Sequence, residues 1–216
     1  MSHSRCQLSY EPSQQSNRHW LLLALLSLLL SACATTSQPR NIDNICSIFE
    51  QRPQWYKAAS RSSERWQAPL EVPMAIMYQE SSFKRKARPP MQYFLGFIPT
   101  GRASDAYGYS QALKGTWAEY KKEVGSAFSS RDNFGNAYDF IQWYMHKTTL
   151  RNGVSKLDGY AQYLNYHEGQ GGFSRGTHLT KPWLINTAKR VAQRAKRYRK
   201  QLNGCEQSLQ KSRGWF

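Results

Sequence analysis

Apolar residues recur three and four positions apart through most of the chain after residue 40, the pattern of helices that bury one face. The chain of 216 residues is long enough for one domain with a core. No run of alternating apolar and polar residues predicts a strand of useful length. We therefore predict a mainly α fold, with helices over 42–65 interrupted at Pro53, from Pro73, over Ala112–Val124, over 136–151, over 156–166 and from Pro182.

The stretch Pro89–Asp105 departs from this pattern. Its prolines and glycines preclude a long helix, and its aromatic residues are too many for an ordinary solvent loop. We expect this stretch either to form a small hairpin or line a groove, or to pack as a loop on its own domain.

Residues 1–32 have the features of a lipoprotein signal peptide. Arg18 and His19 precede an apolar run of 11 residues, Trp20–Leu30, which is too short to span a bilayer. Leu30, Ser31, Ala32 and Cys33 resemble the bacterial lipobox, whose cysteine is lipidated and becomes the mature N-terminus. A cleaved signal without a lipid, or an uncleaved anchor, are the alternatives. The predicted organisation is a signal over 1–32, lipidated Cys33 with a short linker over 33–40, and one domain over 41–216.

Cys46 and Cys205 are the cysteines that remain once Cys6 is removed with the signal and Cys33 carries a lipid. In an oxidising compartment two such thiols are expected to form one disulfide. Two unpaired, buried cysteines are the alternative.

The chain is strongly basic, with 30 Lys and Arg against 14 Asp and Glu, a net charge of +16. Removal of residues 1–32 takes Arg5, Arg18 and Glu11, which leaves 28 basic and 13 acidic residues and a net charge of +15. Such a charge often indicates nucleic acid as the partner, but export argues against it. Anionic cell-wall polymer or lipid headgroups are the expected partners instead.

Glu80 lies at the end of the helix predicted from Pro73. Ile76 and Met77 precede it by four and three positions, so the helical turn beneath its carboxyl is apolar. A carboxyl against apolar groups is costly to ionise, so its pKa rises and it can donate a proton near neutral pH. A lone glutamate at a helix end is more often solvated, so this pattern alone is weak evidence for catalysis.

Two other catalytic patterns are incomplete. His167 and Glu168 begin the zinc-peptidase motif H-E-x-x-H, but the second histidine is missing and glycines interrupt the helix. The segment from Gly108 to Ala112 approaches G-x-S-x-G, but no strand precedes it. The sequence predicts no metal site and no cofactor.

Three segments in order, Q-E-S-S-F, A-Y-G-Y-S-Q-A-L-K-G-T-W and Y-H-E-G-Q-G-G, resemble the soluble lytic transglycosylase (SLT) domain family of the lysozyme-like superfamily. The resemblance covers roughly Trp55–Arg197 and implies a lysozyme-like single domain of the α+β superfamily. Members of this family cleave the β-1,4 bond between N-acetylmuramic acid and N-acetylglucosamine without water and leave a 1,6-anhydro end.

The resemblance assigns roles to individual residues. It implies that Glu80 is the general acid and then the base, and that Ser81 places the substrate or the carboxylate. The residues that match the sugar-binding segments, and are expected to bind substrate, are Gly108, Tyr109, Ser110, Gln111, Tyr166 and His167. Tyr166 could instead be a plain core residue.

The chain also departs from the family pattern. Tyr109 and Ser110 replace Leu-Met, His167 replaces Asn, and Thr187 occupies the position of a late tyrosine that bonds the catalytic acid in many members. No second carboxylate matches in the three segments, which favours the substrate-assisted route with one acid. Asp105 and Glu168 are the nearest acids, and either could make the protein a hydrolase.

Taken with the resemblance, these features predict a peptidoglycan lytic transglycosylase of the bacterial cell envelope. It is expected on the periplasmic face, held by a lipid on Cys33, with the outer membrane favoured over the inner. The expected partners are glycan strands and the membrane, with an envelope or secretion-machine protein as a further candidate, but not nucleic acid. A non-catalytic peptidoglycan-binding or secretion-apparatus lipoprotein and a hydrolytic muramidase are the alternatives.

Overall fold

In the computed structural model, residues 38–213 are described. The predictions for the signal over 1–32 and for the lipid on Cys33 lie outside these residues. No helix within the described part is both long and apolar enough to cross a membrane.

The described chain is mainly helical and has one small sheet. The prediction of a mainly α, lysozyme-like domain is confirmed. The elements in chain order are α1 (Ile45–Gln51), α2 (Pro53–Trp66), α3 (Glu71–Ser81), β1 (Met91–Phe94), β2 (Ile98–Arg102), α4 (Lys114–Glu123), α5 (Phe134–Asn152), α6 (Gly159–Ser174), a 3-10 turn (Thr177–Thr180) and α7 (Pro182–Arg213).

Local signals explain several helix ends. Asn133 caps α5 by accepting from the Asn136 amide, and Gly153 ends it in the left-handed conformation with φ 67°. Asp158 caps α6 by accepting from the Tyr160 and Ala161 amides. The break predicted at Pro53 separates α1 from α2.

Several predicted helix boundaries differ from the structure by two or more residues. The helix expected to open at Pro73 begins at Glu71, since a proline is tolerated throughout the first turn, where the N–H groups lack helical partners. The helix predicted over 156–166 begins at Gly159 and continues to Ser174, with a kink at Gly169. The glycines of this segment bend the helix without ending it.

The core lies where α3, α5, α6 and α7 meet. Met74, Ile76 and Met77 of α3 are fully buried in it. Asp139 on α5 joins two further helices, because it accepts hydrogen bonds from Trp66 of α2 at 2.9 Å and from Tyr120 of α4 at 2.8 Å. The scaffold around α3 is therefore closely packed on several sides.

Cys46 of α1 and Cys205 of α7 form a disulfide, as predicted, with their Cα atoms 6.1 Å apart. The bridge ties the first described helix to the last.

The stretch Pro89–Asp105 contains the antiparallel hairpin of β1 and β2. The hairpin expectation is thus confirmed, whereas packing on the domain is not, because every residue of both strands is exposed.

Candidate active site

Glu80 occupies the last turn of α3, which ends when Ser82 adopts a left-handed conformation with φ 49°. The side chain is partly exposed, and the helix beneath it is buried. Burial raises the pKa of the Glu80 carboxyl to about 7, while a hydrogen bond from Tyr163 acts in the opposite direction. At neutral pH this carboxyl is therefore poised between its protonated and ionised forms.

Tyr163 of α6 is the partner of Glu80 and is almost fully buried. The sequence motifs did not indicate Tyr163, because the family's late tyrosine aligns with Thr187 in this chain. The hydroxyl of Thr187 instead donates to the Trp183 carbonyl and accepts from Arg190. Helical spacing could have indicated Tyr163, because it lies three residues, or about one turn, before Tyr166 and so on the same face of the helix.

Ser81 is buried and connects α3 to the segment 108–111. Its hydroxyl lies 2.7 Å from the Tyr109 carbonyl and 3.2 Å from the Met77 carbonyl. These bonds hold the end of α3 against the second of the three family segments, here called the second motif.

The segment 108–111 is fixed mainly through its backbone. The Gly108 amide donates to the Ala87 carbonyl at 2.9 Å, and the Tyr109 amide donates to the Arg131 carbonyl at 3.2 Å. The Tyr109 ring is buried with its edge against Trp55. Ser110 is fully buried as well, and its carbonyl accepts from the Tyr166 hydroxyl at 2.6 Å.

Tyr166 stands beside the Glu80 carboxyl. Burial, followed by the nearby charge of Glu80, raises the pKa of the Tyr166 hydroxyl well above its usual value. The ring packs edge-on against Tyr144 and Phe140. Tyr166 thus joins the second and third motifs and lies within the electrostatic influence of Glu80.

A cavity of about 260 Å³ brings together residues of both motifs. Gln111, Tyr166 and His167, all predicted to bind substrate, line it. The other lining residues are Ala112, Leu113, Thr116, Phe140, Tyr144, Glu168 and Gly169. The aromatic walls and polar rim of this cavity suit a sugar ring.

Glu168 is held by an ion pair. Lys181 donates to both carboxylate oxygens at 2.8 Å, Thr177 donates to one of them, and His167 Nδ1 lies 3.1 Å away. Burial alone would raise the pKa of Glu168, but these hydrogen bonds lower it to about 2. Glu168 is therefore ionised at neutral pH and already has partners.

Asp105, the other acid near the motifs, accepts from the Lys114 amide at 3.0 Å at the start of α4. Its carboxylate thus caps a helix. Within residues 38–213 no group of three or more His, Cys, Asp and Glu side chains could hold a metal ion.

Comparison with known proteins gave one match. The family model described as the transglycosylase SLT domain matches residues 21–205. Neither the search of curated proteins nor the search of solved structures found a match.

Proposed function

Because the chain belongs to the transglycosylase SLT domain family, whose model matches residues 21–205, we propose that it is a lytic transglycosylase with Glu80 as its general acid and base. The proposed reaction breaks the β-1,4 bond between N-acetylmuramic acid and N-acetylglucosamine and leaves 1,6-anhydro ends. The observation that carries the proposal is a carboxyl with a pKa of about 7 whose charge acts on Tyr166, a residue that lines a cavity together with Gln111 and His167.

The first step uses the protonated form of Glu80. The carboxyl gives its proton to the glycosidic oxygen, and the bond between that oxygen and C1 of the muramoyl sugar breaks. The substrate's own acetamido group can stabilise the charge that develops at C1. The Glu80 carboxylate formed in this step accepts the hydrogen bond of Tyr163, which stabilises the ionised form and orients it.

The second step returns the proton. The Glu80 carboxylate removes the proton of the muramoyl C6 hydroxyl while this oxygen bonds to C1 and closes the anhydro ring. The leaving sugar keeps the first proton, so no water is consumed and Glu80 ends in its starting form.

Glu168 and Asp105 support the route with one acid. A hydrolase with two carboxylates needs a second acid free to activate water or attack C1. Glu168 is engaged by Lys181 and Thr177, and Asp105 caps α4. Both carboxylates already have bonded partners in the fold.

The substrate roles are assigned by where the side chains lie. Gln111, Tyr166 and His167 border the cavity and would contact the sugar directly. The buried Tyr109 and Ser110 would act through their backbone carbonyls, which accept from Ser81 and Tyr166 respectively. Gly108 would give the segment its shape, and Ser81 would position Glu80 without touching substrate.

Digestion of purified sacculi followed by mass spectrometry tests the reaction. We expect anhydro ends, and we expect Glu80→Gln to lower the cleavage rate by about 10²- to 10⁴-fold. Glu50→Gln, at an exposed acid on α1, is the matched control and should remain active. Products with reducing ends, or an active Glu80→Gln variant, would contradict the proposal. Sacculus binding without cleavage by the unaltered protein would favour the non-catalytic alternative.

We also propose that the mature protein is held at the cell envelope by a lipid on Cys33, with the outer membrane favoured. The lipobox-like sequence at residues 30–33 supports this proposal. Labelling cells with a tagged fatty acid tests it, because Cys33→Ala should remove the label. A label that persists in this variant would contradict the anchor. An envelope or secretion-machine protein partner stays a prediction from the sequence.

A further inference from the structure

The tip of the β1–β2 hairpin presents a group of neighbouring apolar side chains to solvent. Phe94 is 59% exposed, Leu95 70% and Phe97 71%, and these residues are consecutive except for Gly96. Soluble proteins seldom leave such a contiguous apolar group in water unless it contacts a partner or a membrane.

Apolar side chains occupy both faces of the hairpin. Successive strand residues point to opposite faces, so Tyr93 and Phe94 of β1 face opposite ways, and both are more than half exposed. A protein or glycan that docked on one face would leave the other in water. An acyl layer that surrounds the tip would cover both faces.

The flanks of the hairpin are basic. Between Glu80 and Asp105 the sequence contains no acid but has five cations, namely Lys84, Arg85, Lys86, Arg88 and Arg102. Arg85 pairs with Asp132, and Arg88 lies over the Tyr107 ring. Lys84 and Lys86 are exposed, and no ion pair joins either of them to a carboxylate within the described residues.

The spacing of tip and cations fits a bilayer interface. Each strand of four or five residues extends about 13–17 Å at 3.3 Å per residue. Interfacial segments bury their apolar groups about 5–10 Å into the headgroup and acyl boundary. The cations near the base would then lie at or just outside the headgroups, within reach of anionic lipid on their long side chains.

We propose that the hairpin Met91–Arg102 inserts its tip into the surface of a bilayer that contains anionic lipids, with Lys84 and Lys86 contacting the headgroups. The base of the hairpin is attached to the candidate active site, because the Ala87 carbonyl accepts from the Gly108 amide and from the Gln111 side chain. Insertion therefore holds the cleft at a set height above the membrane. The inference depends neither on a lipid at Cys33 nor on catalysis by Glu80.

Hydroxyl-radical footprinting of the full chain tests the proposal. The chain is reconstituted on phosphatidylcholine vesicles and on vesicles containing roughly one-third phosphatidylglycerol. Because the N-terminal region can hold the protein to both, the readout is side-chain modification, not binding. We expect oxidation of Phe94, Leu95 and Phe97 to fall at least about fivefold on the anionic vesicles. Phe128, which is 94% exposed in another loop, is the internal reference and should not change.

Charge variants sharpen the test. The double variant Lys84→Gln/Lys86→Gln should lose most of the protection at the tip. Lys189→Gln/Lys196→Gln, which removes two exposed cations of α7, should keep it. Equal oxidation of the tip on both vesicle types would overturn the proposal. Protection of the tip by glycan strands without vesicles would also overturn the proposal and would indicate that the hairpin contacts the glycan substrate. Protection that rises with protein concentration in solution would overturn it in favour of self-association through the tip.

Discussion

At Glu80, burial and hydrogen bonding act on one carboxyl in opposite directions. Burial raises its pKa, the Tyr163 hydroxyl lowers it, and the outcome is a pKa of about 7. A lower value would leave little acid to protonate the leaving group, and a higher one would leave little base for the second step. The pair thus suits a residue with the proposed roles of acid and then base.

The raised pKa of Glu80 has a consequence for stability. The folded protein binds this proton more tightly than the unfolded chain, so the contribution is fully present below pH 4.5 and is lost as the pH rises through about 7. The difference in unfolding free energy between the unaltered protein and Glu80→Gln should therefore fall by roughly 3 kcal/mol from pH 4 to pH 8. Denaturant titrations at several pH values measure it. A constant difference would contradict the assigned pKa.

Tyr163→Phe should alter the pH profile of cleavage. Tyr163 stabilises the Glu80 carboxylate, so its loss should raise the pKa of Glu80. Because the first step needs protonated Glu80, kcat/KM is expected to fall as the pH rises through about 7, and in Tyr163→Phe this fall should move to higher pH. Poorer orientation of the carboxyl should lower kcat by about tenfold. Tyr160→Phe, on the same helix, should leave the profile unchanged. An unshifted limb in Tyr163→Phe would remove this tyrosine from its assigned role.

At the scale of elements, the site depends on the end of α3 and the segment 108–111. The chemistry of helix ends was largely predictable, because caps such as Asn133 and terminators such as Gly153 act over a few residues. The structural role of segment 108–111 was not predictable in this way. Tyr109 and Ser110 were expected to bind substrate, but both residues are buried. The Tyr109 carbonyl accepts from Ser81, and the Ser110 carbonyl accepts from Tyr166.

Gly108 and Gly153 both have positive φ, 78° and 67°, but their surroundings differ. A Cβ on Gly108 would lie 2.1 Å from the Arg131 carbonyl oxygen, whereas a Cβ on Gly153 would meet nothing within 4 Å. We expect Gly108→Ala to cost more than about 3 kcal/mol and to abolish cleavage. Gly153→Ala should cost only about 1–2 kcal/mol, for the left-handed backbone alone. Equal costs in thermal unfolding would contradict the packing around Gly108.

At the scale of the whole molecule, the Cys46–Cys205 bridge encloses most of the described chain, with a sequence separation of 159 residues. In the chain-entropy model a loop of this length stabilises by up to about 5 kcal/mol, and real bridges often contribute less. Cys46→Ser/Cys205→Ser should lower the Tm by about 5–15 °C. Added reductant should lower the Tm of the unaltered protein but not of the variant. A Tm that does not change on reduction would contradict a stabilising bridge.

Sequence alone determined the features that rest on local spacing and on ordered motifs: the helical class, the break at Pro53 and the likeness to the SLT family. It also indicated Glu80 as the candidate acid. Only the tertiary structure decided the partners of the two acids. Tyr163 reaches Glu80 from another helix, and Lys181, which follows the 3-10 turn, engages Glu168. The tertiary structure also decided that the hairpin stands away from the core with its apolar tip exposed. Burial and proton affinity depend on contacts between elements distant in sequence, which spacing along one element does not specify.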